Sequence, residues 1–123
     1  MPRLITLAGA QTGPIQRADS RARTLERLIA LLESAARQGA QLVVFPELAL
    51  TTFFPRWFIP EAAELDTWFE REMPNPGCQR LFDRARELRV GFYLGYAELT
   101  PEGRRFNSAI TVGPDGRILA KYR

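Results

Sequence analysis

Two short apolar runs with one helical stretch between them constrain the fold of this chain more than any other feature. The runs span residues 4–10 and 42–45, and they end at the turn residues Gly13-Pro14 and at Pro46. The nearly continuous run at residues 4–10 predicts a strand that is covered on both faces, and the run at residues 42–45 predicts a second strand. Strands joined through a helix with short connections pair in parallel by a right-handed crossover. The pattern therefore predicts an α/β fold.

The stretch between the two runs has the spacing of an amphipathic helix. Asp19 or Ser20 is suited to cap its start, and Gly39 is suited to follow its end. Charged residues fall mostly on the other face, so the apolar face is expected to pack on the sheet. The apolar positions are Leu25, Leu28, Ile29, Leu32, Ala35 and Ala36.

The rest of the chain predicts a second crossover followed by an antiparallel hairpin. The predicted elements are helices at 61–72 and 78–89 and strands at 90–96, 105–112 and 117–122. The last two strands flank the turn at residues 113–116, so the sheet is expected to be mixed. Helices that mostly cover one sheet face leave the other face and an edge bare. We therefore expect residues 1–123 to dimerise or aggregate when isolated.

Composition excludes several kinds of function. The 123 residues contain no histidine and a single cysteine, Cys78, which excludes histidine-dependent catalysis, histidine metal sites and an internal disulfide within this chain. The 17 Lys and Arg residues are interspersed with 14 Asp and Glu residues, so the net charge of +3 offers no cationic cluster for nucleic acid. No run reaches the roughly 20 apolar residues that cross a bilayer. We expect a soluble, cytoplasmic protein without a metal or another cofactor.

Glu47 is the first candidate for a catalytic residue. It directly follows the second predicted strand, and ligands of open α/β sheets collect at the carboxyl ends of the parallel strands. A carboxylate in this position can serve as a general base. From position alone an alternative stays open, in which Glu47 caps the next turn or pairs with an arginine.

The loop at residues 47–60 and Cys78 each allow two interpretations. Phe53, Phe54 and Trp57 either line a pocket or a partner surface, or fill the core beneath the loop. Cys78 lies at a predicted helix start, where the helix dipole favours a thiolate, but a lone cysteine is commonly buried and inert. Gly91 and Gly95 each permit a close backbone approach.

Several motifs resemble those of a known enzyme superfamily. The sequence LVVFPE at residues 42–47 resembles the first motif of the nitrilase superfamily, the carbon–nitrogen hydrolases. The longer sequence PELALTTFFPRW at residues 46–57 is similar to that of N-carbamoyl-D-amino acid hydrolases, as are residues 91–98, 105–108 and 121–123. The likeness covers essentially the whole chain.

This resemblance implies a four-layer αββα fold and a Glu-Lys-Cys catalytic triad. Glu47 matches the glutamate, which is the general base in the family. The lysine of the family directly follows the motif at residues 121–123, and its cysteine lies further on, so Lys121 and Cys78 match neither. Residues 1–123 are therefore expected to be a partial carbon–nitrogen hydrolase domain, truncated at the C-terminus and inactive alone.

The resemblance also implies an activity. The full-length enzyme would hydrolyse the carbamoyl C–N bond of N-carbamoyl-D-amino acids to the D-amino acid, CO₂ and ammonia, as a homo-oligomer, with Phe53, Phe54 and Trp57 as pocket wall. One alternative is another branch of the superfamily, such as an aliphatic amidase, an N-carbamoylputrescine-type hydrolase or a nitrilase. An alternative of another class is a non-catalytic interaction module that uses the aromatic loop.

Overall fold

A computed structural model describes all 123 residues, and it confirms the mixed α/β fold. The elements are β1 (Leu7–Gly9), α1 (Arg21–Arg37), β2 (Leu42–Val44), a 3-10 turn (Phe54–Arg56), α2 (Ala62–Asp66), α3 (Gln79–Leu88), β3 (Gly91–Leu99), β4 (Arg105–Val112) and β5 (Ile118–Tyr122). None of the helices has the length and apolar character needed to cross a membrane.

The five strands form one sheet in chain order, β1-β2-β3-β4-β5. The pairs β1–β2 and β2–β3 are parallel, and the pairs β3–β4 and β4–β5 are antiparallel. Because α1 links β1 to β2 and α3 precedes β3, both parallel connections are crossovers, as predicted. The carboxyl ends of β1, β2 and β3 therefore lie at one edge of the sheet.

The main core lies between one sheet face and the helices α1 and α3. Leu28 and Leu32 of α1 are fully buried, as their helical spacing predicts. Phe92 of β3 is also fully buried, and its ring contacts Phe45 and Phe82 edge-on at centroid distances of 6.0 and 5.2 Å. Full burial of such side chains stabilises the fold by about 1.5–3 kcal/mol each.

Capping residues set the bounds of α1. The Ser20 hydroxyl accepts a hydrogen bond from the Arg23 backbone N–H at 3.2 Å, which satisfies a free donor at the helix start. Gly39 follows the last turn with φ of +83°, a conformation that glycine adopts without steric cost. The predicted start and end of this helix are confirmed.

The opposite face of the sheet exposes large apolar side chains. Leu7, Val44 and Tyr93 lie on this face of the parallel strands with relative exposures of 58%, 38% and 38%. The structure thus shows the uneven covering that the sequence predicts. The association expected from it stays a prediction.

The bounds of β1 differ from the prediction. The strand covers Leu7–Gly9 rather than residues 4–10, and Leu4 and Ile5 are exposed. The reason is that β1 is an edge strand with only one covered face, so its first apolar residues find no partner to pack on. Burial on both faces was the wrong expectation for this run.

Two further elements end at different residues than predicted. The helix expected at 61–72 ends at Asp66, where the Thr67 hydroxyl donates to the Glu64 carbonyl oxygen at 2.6 Å. Beyond it, Glu70 forms an isolated β-bridge with Glu98. Pairing with the sheet thus replaces helix in this segment. The strand β3 itself continues past the predicted residue 96 to Leu99, where it still pairs with β4.

Candidate active site

Glu47 lies on a sharp turn at the carboxyl end of β2. The Phe45 backbone N–H still donates to the Tyr93 carbonyl oxygen at 3.0 Å, and Pro46, which has no N–H, ends the ladder. Leu48 then has a left-handed conformation, with φ of 48°. Such a conformation costs a non-glycine residue about 1–2 kcal/mol. The burial of the Leu48 side chain offsets this cost and fixes Glu47 at the turn.

The backbone of this turn packs directly against Gly95 of β3. A methyl group in place of its hydrogen would lie 3.2 Å from the Glu47 Cα and 3.3 Å from the Leu48 backbone nitrogen. The Ala49 N–H also donates to the Gly95 carbonyl oxygen at 2.9 Å. A larger residue would push the turn away from the sheet, so the close approach predicted at Gly95 is confirmed.

The side chain of Glu47 is held by an amide from β4. Asn107 Nδ2 donates to Glu47 Oε1 at 2.5 Å. Asn107 faces Ala97 in the register of β3 and β4, on the sheet face opposite the main core. Glu47 takes part in none of the ion pairs of the structure, so pairing with an arginine is not its role here.

The sequence alone does not indicate Asn107 as a site residue. Its only signal is its place in the segment 105–108, which resembles the superfamily. The partner of Glu47 lies 60 residues further along the chain, and only the strand register brings the two side chains together.

Two cavities share Glu47 in their walls. The first, of about 290 Å³, is lined largely by aromatic and apolar side chains, which include Phe53 and Phe54. The second, of about 330 Å³, is more polar and is lined by Phe53 and Trp57. Each of the three aromatic residues predicted to shape a pocket therefore lines a cavity that Glu47 also lines, and their contact with a substrate stays a prediction.

The aromatic loop also fills a small core of its own. Phe54 is buried beside Leu48 and Ala97, and its ring stacks on Trp68 at a centroid distance of 6.0 Å. Phe53 is 44% exposed and has no such packing role. Phe54 therefore fills this small core and also borders the first cavity, whereas Phe53 borders both cavities.

Three arginines line the two cavities, and one of them has no acidic partner. Arg17 pairs with Glu64 at 2.9 Å and Arg105 pairs with Asp66 at 2.7 Å. Arg56 is in none of the ion pairs of the structure.

Arg56 is placed by the loop beside the second cavity. Its Nε donates to the Phe53 carbonyl oxygen at 3.3 Å, and its guanidinium lies 5.6 Å from the centre of the Trp57 ring. The remaining donors of this guanidinium have the geometry to bind a carboxylate.

Cys78 lies away from this site. The residue is 3% exposed and belongs to the main core. Burial raises the pKa of its thiol, and the charge of Glu70 raises it further, while hydrogen bonding to the Asn75 backbone opposes them. A buried thiol with a raised pKa is a poor nucleophile, so the structure supports the inert interpretation.

The fold and the site together define the class of this protein: a mixed α/β domain with a carboxylate at the carboxyl end of a parallel strand. The chain belongs to the carbon–nitrogen hydrolase family, which residues 5–123 match. This match confirms the superfamily that the motifs indicated.

Similar proteins include amidases and a nitrilase. Omega-amidase NIT2 of Homo sapiens is 32% identical over 97 residues, which cover 79% of this chain and 32% of that protein. The aliphatic nitrilase of Rhodococcus rhodochrous is 27% identical over 109 residues, 83% of this chain and 30% of that protein. A carbon–nitrogen hydrolase from Helicobacter pylori G27 superposes with a TM-score of 0.76 and 26% identity, over 97% of this chain and 39% of that one.

The chain thus spans about a third of the length of the curated relatives that it matches. These relatives support a family of amidases and nitrilases. The narrower likeness to N-carbamoyl-D-amino acid hydrolases is still a proposal.

Proposed function

We propose that this chain supplies the general base of a carbon–nitrogen hydrolase that cleaves N-carbamoyl-D-amino acids. The observation that carries the proposal is Glu47, which is held by Asn107 and lines both cavities. The motif at residues 46–57 supports the carbamoyl substrate. A carboxylate aligned by one hydrogen bond keeps its second oxygen available for proton transfer.

In the proposed reaction a cysteine thiolate attacks the carbamoyl carbon. The bond from that carbon to the amino-acid nitrogen breaks, the amine leaves with a proton, and the carbamoyl group stays on sulfur. Glu47 takes the thiol proton, passes it to the leaving amine and then activates the water that releases carbamic acid, which yields CO₂ and ammonia. A lysine stabilises the oxyanion.

The cysteine and the lysine of this reaction are not Cys78 and Lys121. Cys78 is buried in the core, and the resemblance places the catalytic lysine directly after Arg123. We therefore propose that residues 1–123 are one part of the catalytic domain. Purified residues 1–123 are expected to release no ammonia from N-carbamoyl-D-amino acids, and release that Glu47→Gln abolishes would overturn this.

The free guanidinium of Arg56 supports an anionic substrate. N-carbamoyl amino acids carry a carboxylate at one end and the scissile C–N bond at the other. With Glu47 and Arg56 in the wall of one cavity, the two ends of such a substrate have matching groups. A neutral nitrile has no group for Arg56.

An amidase acting on a simple amide is the second candidate. The observation that favours it is the 32% identity with omega-amidase NIT2. The test is ammonia release by a form of the protein that continues past Arg123, with N-carbamoyl-D- and L-amino acids, carboxylated primary amides and aliphatic nitriles. Highest kcat/KM on an N-carbamoyl-D-amino acid supports the proposal, and highest kcat/KM on an amide or a nitrile overturns it in favour of that branch.

A further inference from the structure

Glu98 is a buried carboxylate that the reaction described above does not use. The residue is 5% exposed and lies near the end of β3, on the sheet face of the main core. Its two oxygens are surrounded by donors: Arg123 Nε at 2.5 Å, Tyr96 Oη at 3.3 Å, Ser108 Oγ at 3.4 Å and the Lys121 ammonium. A carboxylate is stable at such a depth only when it is paired and hydrogen-bonded.

Lys121 belongs to the edge strand β5, and Arg123 directly follows the last residue of that strand. Every residue of β5 is exposed, so the strand buries no apolar side chain that could hold it in place. A register shift at Thr111 and Val112 also interrupts its pairing with β4. Besides the remaining backbone ladder, the contacts of Lys121 and Arg123 with Glu98 are the main attachment of this strand end.

Aromatic rings strengthen the same attachment. The Lys121 ammonium lies 6.0 Å from the centre of the Tyr96 ring, and the Arg123 guanidinium lies 4.9 Å from that of Phe106. Cations at such distances are attracted by the ring face. Charge and stacking thus select one position of β5 along β4.

The register of β5 brings this attachment next to Glu47. Ile110 faces Lys121 and Ala109 faces Tyr122. Continuing the register by two residues places Asn107 opposite the position that follows Arg123. Side chains alternate between faces, so this position shares the face of Asn107, where Asn107 donates to Glu47.

We propose that Glu98 is a positioning residue of the Glu47 site. By holding Lys121 and Arg123, it fixes the end of β5 so that the side chain following Arg123 lies beside Asn107 and Glu47. A slip of β5 by one residue would turn that side chain to the other face. This inference rests on the proposed function only for its effect on catalysis, because the anchoring of β5 is a property of residues 1–123.

The anchoring is tested by hydrogen exchange in residues 1–123. In Glu98→Gln, the β5 amides hydrogen-bonded to β4 are expected to exchange at least about tenfold faster, with the amides between β2 and β3 unchanged. Glu102→Gln, in the exposed turn after β3, is the matched control and leaves β5 unchanged. If Glu98→Gln does not fold, Lys121→Met serves instead, because the Lys121 side chain is 38% exposed. Unchanged β5 exchange in the folded variant overturns the proposal.

The catalytic consequence is tested in a form that continues past Arg123 and turns over its substrate. Glu98→Gln is expected to lower kcat about tenfold or more and to leave KM within about twofold, because the substrate contacts are kept. An equal kcat in the variant overturns the positioning role. If the unaltered protein hydrolyses no C–N bond, the proposed function fails, whereas the exchange experiment still decides the anchoring.

Discussion

Replacing Gly95 with alanine tests whether the close backbone contact at Gly95 positions the Glu47 turn. The new methyl group would lie 3.2 Å from the Glu47 Cα, 3.3 Å from the Leu48 nitrogen and 3.4 Å from the Pro46 carbonyl oxygen. All three atoms belong to the backbone, so no side-chain rotation relieves the contact. Forcing an extra methyl group into a packed site costs about 1–3 kcal/mol, and we expect Gly95→Ala to lower the free energy of unfolding by this amount.

The assay is urea denaturation followed by tryptophan fluorescence, in which the midpoint falls and the slope stays constant. Gly9→Ala is the matched control, because no atom lies within 4 Å of the added methyl group, and its effect should stay within about 0.5 kcal/mol. Gly91→Ala is a second control, because its methyl group would lie 2.7 Å from the Val112 carbonyl oxygen, away from the Glu47 turn. It distinguishes a general loss of stability from an effect on the Glu47 site. The Asn107 side-chain amide resonance should shift in Gly95→Ala and not in Gly91→Ala. If Gly95→Ala is as stable as Gly9→Ala, the close approach does not hold the turn.

Three other predictions concern the cysteine, the free arginine and the bare sheet face. Cys78 should react with a disulfide reagent only as fast as the chain unfolds. Burial raises the pKa of its thiol, so the contribution of Cys78 to the free energy of unfolding is full below the ordinary thiol pKa and falls as the pH rises above that pKa. Fast labelling of the folded chain would contradict this. In the form that continues past Arg123, Arg56→Gln should raise KM for carboxylated substrates about 10-fold or more and leave KM for neutral amides unchanged. Equal effects on both kinds of substrate would show that Arg56 does not bind the substrate carboxylate. Residues 1–123 should sediment as dimers or larger species, and Val44→Lys combined with Tyr93→Lys should shift them towards monomer. A monodisperse monomer of the unaltered residues 1–123 would contradict association through the exposed sheet face.

Local signals in the sequence predict the elements that depend on neighbouring residues. The bounds of α1 follow from a serine cap, a glycine and helical spacing, and the parallel pairing of β1, β2 and β3 follows from the crossovers. The position of Glu47 at the end of β2 is predicted for the same reason. The close backbone contact at Gly95 is also predictable, because glycine in a strand indicates a close backbone approach.

Contacts that depend on strand register are not predictable in this way. The Asn107 amide reaches Glu47, and Arg123 reaches Glu98, only because β4 and β5 pair in one particular register. Trp68 and Phe69 lie three and four residues after Leu65, which is helical spacing, yet the segment at 67–72 is not helical. Both side chains pack around Phe54 from a turn, while the Glu70 backbone pairs with β3.

Ammonia release from an N-carbamoyl-D-amino acid by a form that continues past Arg123, with and without Glu47→Gln, is the decisive measurement for the role of Glu47. The substitution keeps the size of the side chain and an oxygen that can accept from Asn107, but it removes the carboxylate that moves protons. General acid–base catalysis contributes about 10²–10⁴-fold to the rate, so kcat should fall by at least about 10²-fold while the urea midpoint stays the same. Turnover by Glu47→Gln at the rate of the unaltered protein would contradict the assignment of Glu47 as the general base.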